Sequence, residues 1–75
     1  MKRTHRVTAV IEREDDQYVA LCPELDIASQ GDTIEGARAN LEEALTLFLE
    51  KAPAEELAAR LHSEVYVTGL DITLG

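Results

Sequence analysis

The sequence predicts an α+β fold, with a three-stranded antiparallel meander followed by a helix, a short second helix and a final strand (β-β-β-α-α-β). Three observations predict it. Apolar residues alternate with a period of two between Arg6 and Cys22, a Gly31-Asp32-Thr33 corner ends the alternating part, and from Ile34 onward apolar residues recur at spacings of three and four.

The first strand is read over Arg6 to Glu12, where Val7, Ala9 and Ile11 alternate with Thr8 and Val10 in a run rich in β-branched residues. Arg13-Glu14-Asp15-Asp16 has polar turn chemistry. Gln17 to Cys22 resumes the alternation, with Tyr18, Ala20 and Cys22 on one face and Val19 and Leu21 on the other, so the two segments predict a hairpin. Pro23 has no amide hydrogen and closes the second strand, and Leu25 to Gln30 is read as a short third strand ended by Gly31.

Asp32 or Thr33 caps the next helix. If Asp32 is the cap, Glu35 falls three positions on and completes a capping box. Ile34, Ala37, Leu41, Ala44, Leu45 and Phe48 form one apolar stripe, with Arg38, Glu42 and Glu43 off it. At about 1.5 to 3 kcal/mol per large side chain, burying Ile34, Leu41, Leu45 and Phe48 supplies about 6 to 12 kcal/mol. Leu47 and Leu49 widen the apolar face toward the helix end, which predicts cover from the following segment or from another subunit. Pro53 stops this helix and opens a second at position N1, AEELAARL. Glu64 to Leu74 then reads as a strand, with a bulge or bend at Gly69 and renewed alternation at Leu70, Ile72 and Leu74.

The 75 residues are read as one domain, and chains of this length bury only about 60 to 65% of their unfolded surface, so association with a second copy is expected to add stability. Fifteen acidic residues against seven basic ones give a net charge of −8. Such a surface repels phosphate backbones and favours a basic partner, which argues against direct nucleic-acid binding. Lys2, Arg3 and Arg6 form a small basic cluster at the chain start, read as solvated and not as a binding arm. No apolar run approaches the roughly 18 residues a membrane helix needs, and no apolar core follows the basic N-terminus as in a secretory signal. A single cysteine, Cys22, has no disulfide partner in the chain. Together these point to a cytoplasmic location.

The chemistry-bearing residues mostly have structural explanations. His5 and His62 are far apart and lack ligand spacing, so no metal site is expected from them. Cys22 reads as core filling, since a nucleophile needs a base beside it. Asp32 and Glu35 are accounted for by capping, and Glu24 and Asp26 by turn solvation. The Gly31-Asp32-Thr33 corner has no GxxxxGK, and Asp32 itself would occupy the positive end of the helix, so neither a phosphate site nor any other cofactor is expected. Tyr18, Phe48 and Tyr66 are too few and too dispersed for a base-stacking platform.

Tyr18-Val19-Ala20, Cys22-Pro23-Glu24-Leu25 and Gly31-Asp32-Thr33-Ile34-Glu35, running into a helix with Ala37 and Ala44, resemble the HicB family of antitoxins. The resemblance covers about 30 residues in these pieces, and flanking strands in the expected places extend it over the chain. It implies a partly degraded RNase H-like fold and a binding role, in which the protein masks a small basic toxin of the HicA type, an mRNA interferase. Longer members carry a C-terminal DNA-binding domain, whereas this sequence runs to Gly75, which puts autoregulation by direct DNA binding in doubt; it also has Asp26-Ile27 where Pro-Gly often stands, a departure expected to change the entry of the third strand. An RNase H-type site needs several strand-borne carboxylates converging on metal, and the first strand offers only Glu12.

Three functions follow as expectations. The first is a non-enzymatic antitoxin-like module whose partner contacts come from Glu24, Asp26, Asp32 and Glu35 together with a sheet edge. The second is a homo-oligomer without a toxin, held through Leu47, Leu49 or the last strand. The third is a residual metal-dependent nuclease drawing on Glu12, Asp26 and Asp32.

Overall fold

A computed structural model describes residues 4–62 and 64–75. The order is β1 (Val10–Glu14), β2 (Gln17–Cys22), β3 (Ile27–Gly31), α1 (Ile34–Lys51) and α2 (Ala54–Arg60). The strands form one antiparallel sheet in the order β1-β2-β3, so the α+β class and the meander are as expected. Lys2 and Arg3 of the basic cluster lie outside the described residues, and Arg6 is exposed.

The first hairpin is tighter than its polar run suggested. Glu14 pairs with Gln17, which leaves only Asp15 and Asp16 in the loop, so β1 begins at Val10 and absorbs Arg13 and Glu14. Asp15 takes φ 55°, a left-handed conformation that aspartate tolerates better than most residues. β2 has the bounds its alternation predicted. Ala20 and Cys22 are fully buried beneath the helix, whereas Leu21 points the other way and is 39% exposed.

The third strand starts two residues later than expected. Leu25, read as its first residue, is instead the anchor of a turn: its N–H donates to the Cys22 carbonyl at 3.3 Å and its side chain is fully buried. Asp26 follows at φ 54° and redirects the chain into β3.

Thr33 caps α1, its hydroxyl accepting from the Gly36 N–H at 2.9 Å. With glycine three positions after the cap there is no capping box, and Glu35 instead complements the helix dipole from the first turn. Ala37, Leu41 and Leu45 are buried against the sheet, and Phe48 and Leu49 pack at the margin. Ile34, counted among the buried stripe, is 48% exposed because it sits at the first helical position, before the helix lies over the strands. Leu25 takes its place in the core.

Gly31 sets how closely β3 approaches α1. A Cβ there would lie 2.6 Å from the Ala37 nitrogen and 2.8 Å from the Gly36 carbonyl carbon, both backbone atoms that cannot swing away. α1 therefore packs chiefly on β3 and β2, and only marginally on β1.

Pro53 occupies the N-cap of α2, one position earlier than expected, and its carbonyl accepts from Leu57 N–H at 3.0 Å. The predicted final strand does not form. Residues 64–75 have no ladder partner among the described residues, and Leu70, Ile72 and Leu74 are 81, 74 and 89% exposed. The molecule is correspondingly long. It measures 53 × 28 × 19 Å, with a radius of gyration of 14.7 Å, against roughly 11 Å for a compact chain of this length.

Candidate functional site

The turn between β2 and β3 is the most heavily cross-linked place among the described residues. Both carboxylate oxygens of Glu24 accept from the Thr8 N–H at 3.0 Å, and Oε2 also accepts from the Thr8 hydroxyl at 2.7 Å. The Cys22 thiol donates to Oε1 at 3.5 Å. The Glu24 carbonyl accepts from His62 N–H at 2.7 Å. Arg60 Nη2 donates to the carbonyls of Leu25 at 2.9 Å and Asp26 at 3.3 Å, and its guanidinium lies 5.1 Å from the centre of the Phe48 ring. His62 Nε2 stands 2.7 Å from Asp26 Oδ2, an ion pair when the imidazole is protonated. This one turn thereby ties the segment before β1 to the end of α2.

Electrostatics follow from these contacts. Burial alone would raise the Glu24 pKa, but the hydrogen bonds from the Thr8 side chain and backbone outweigh it and hold the carboxyl below its ordinary value. For Cys22, burial dominates and raises the thiol, with the neighbouring Glu24 adding to the rise. A thiol kept protonated in this way, inside the core, suits packing and not nucleophilic chemistry.

The four carboxylates expected to meet a partner divide into two groups. Glu24 and Asp26 stand before β3 and Asp32 and Glu35 after it, so the length of that strand, roughly 17 Å at 3.3 Å per residue, separates them. Glu24 spends its lone pairs internally, and Asp26 faces His62. Asp32 accepts only a long 3.4 Å bond from the Gln17 amide, and Glu35 is exposed. Glu12 lies on β1, away from Asp26 and Asp32. Among the described residues no group of three or more His, Cys, Asp or Glu is placed to hold a metal ion.

Sequence reasoning missed Thr8, Arg60 and His62. Pro23 and the charged residues flanking Leu25 do mark a turn, but nothing local reveals that its carbonyls are claimed from α2.

Fold and site define a small acidic α+β protein in which one long helix packs on a meander and a single turn of that meander is bonded to the segment before β1 and to the end of α2. This chain belongs to the UPF0150 family. It is 43% identical over 56 residues to a UPF0150 protein of Synechocystis sp., a match covering 72% of this chain and 71% of that one. Over 53 residues it is 42% identical to a UPF0150 protein of Helicobacter pylori strain J99, covering 69% and 74%. A second Synechocystis UPF0150 protein is 50% identical over 46 residues, a stretch that spans 59% of this chain and 64% of that relative. No family model and no solved structure matches the chain. Among the described residues, no helix is long and apolar enough to cross a membrane.

Proposed function

We propose that this chain is a protein-binding module of the HicB-like antitoxin kind, which occupies a small basic toxin and denies it access to RNA. One observation carries the reading. Fourteen of the fifteen carboxylates are on exposed residues, and among the described residues only Asp26 is in an ion pair, with His62. A surface this acidic and this little neutralised attracts a basic partner from a distance and orients it on arrival.

The meander followed by a long helix accords with the start of an RNase H-like fold, and the HicB resemblance at Cys22-Pro23-Glu24-Leu25 falls on the cross-linked turn. The open sheet edges add main-chain donors and acceptors that a partner can pair with. Glu24 serves this reading by building the turn, while Asp32 and Glu35 at the opposite end of β3 are free to meet the partner.

The test is co-expression with a small basic protein encoded beside the gene. A complex that co-purifies, together with restored translation in cells producing the basic protein, is the expected outcome. Neither complex nor rescue would remove the antitoxin reading.

A further inference from the structure

We propose that the face of the sheet turned away from α1 is a docking surface for a basic protein that presents an apolar strip beside its lysines and arginines. The inference rests on the antitoxin-like reading and gives that function its contact surface.

The strand register decides what lies there. Ala20 and Cys22 are buried beneath α1, with Ile11, Tyr18 and Ile27 packed beside them, so the alternate positions of each strand look outward. Val10 pairs with Leu21 and Leu21 with Ala28, which makes one outward row across all three strands. In the next row Val19 stands opposite Glu12. An antiparallel sheet face left to water ordinarily carries polar side chains, whereas this row is wholly apolar. Leu21 and Ala28 are exposed and Val10 and Val19 half-buried, and among the described residues none of the four belongs to the core or to the side chains packed against it.

Negative charge gathers at the other end of the same face. Glu12 and Glu14 continue the outward series of β1, the Asp15-Asp16 loop follows, and Asp32 is tied to this end by the 3.4 Å bond from the Gln17 amide. Arg13 is the one basic residue between Val7 and Asp32, and the alternation of β1 sends it to the helix side. The face therefore grades from apolar to acidic over about 13 Å, the length from Val10 to Glu14 at 3.3 Å per residue.

Charge complementarity selects the occupant. A partner that covers this face must bury the row of Val10, Leu21 and Ala28 and set cations against Glu12 and Glu14, an apolar centre with a charged rim. A basic protein meets both demands. A second copy of this chain carries the same net charge of −8, so laying two such faces together opposes like charges.

Affinity of the full chain for the small basic protein encoded beside the gene tests the surface. Leu21→Lys is expected to weaken binding about tenfold or more, with helical circular dichroism unchanged, and Ala28→Lys, at a position already exposed, repeats the test should the first variant fold poorly. Leu47→Lys places the same charge on an exposed leucine of α1 and is expected to bind within about twofold of the wild type. Glu12→Lys with Glu14→Lys should slow association about three- to tenfold at low salt, and by less as salt is added. Wild-type binding that both Leu21→Lys and Ala28→Lys leave intact overturns this surface while the antitoxin reading stands. No binding by the wild type removes that reading and this inference together. A wild-type dimer that Leu21→Lys converts to the 8.3 kDa single chain also overturns it, since a second copy then covers the face.

Discussion

The Thr8 N–H donates to both carboxylate oxygens of Glu24 at 3.0 Å, while the hydroxyl of the same threonine donates to Oε2 at 2.7 Å. One acidic side chain thus closes a 16-residue span and holds the segment before β1 against the turn that leads into β3.

Glu24→Gln is expected to destabilise the fold by about 1 to 2 kcal/mol, the lower part of the range for hydrogen bonds to charged groups because the site is only partly buried. Thr8→Val, which removes the hydroxyl and keeps the N–H, is expected to cost about 0.5 to 1.5 kcal/mol. Urea unfolding of the two variants measures both.

The lowered Glu24 pKa makes part of this stability depend on pH. A carboxyl whose folded pKa lies below its unfolded value, about 4.3 for glutamate, stabilises fully above that value and loses the contribution as pH falls through the folded pKa. Stability of the wild type should therefore drop more steeply than that of Glu24→Gln below about pH 4.3, with the two curves converging in acid. Parallel curves would show that the hydrogen bonds do not discriminate between the two protonation states.

Gly31→Ala should destabilise by about 1 to 3 kcal/mol, because the new methyl meets the α1 backbone and only a shift of the helix relieves it. Gly69→Ala, with open space around it, is the control and should stay within about 0.5 kcal/mol. Thermal unfolding distinguishes the two.

Arg60→Ala is expected to cost about 1 to 2 kcal/mol, since it leaves the Leu25 and Asp26 carbonyls without their donor and uncovers Phe48. His62→Ala removes only an exposed contact with Asp26 and should cost under about 1 kcal/mol. Hydrogen exchange of α2 amides should rise in the first variant more than in the second.

Asp32→Asn with Glu35→Gln reduces the net charge from −8 to −6 at the end of β3 offered to the partner. Association with the basic protein should slow by about three- to tenfold at low salt, and the difference should shrink as salt is added. Glu55→Gln with Glu56→Gln makes the same change of charge on α2, and a smaller effect there would place the contact at Asp32 and Glu35.

Local pattern alone was enough for β2, for the buried series Ala37, Leu41 and Leu45, for a helix entered at the Asp32-Thr33 corner and for the strongly acidic exterior, since period, capping chemistry and charge are all properties of neighbouring residues. The tertiary structure decided the rest: that Leu25 anchors a turn instead of opening a strand, that Ile34 stays half exposed, that Gly31 is needed for a close approach and that residues 64–75 find no partner strand. The bonds behind the cross-linked turn join residues 16, 35 and 36 positions apart. No local periodicity encodes such pairings, because they exist only once the chain has closed those loops and brought α2 back over the turn.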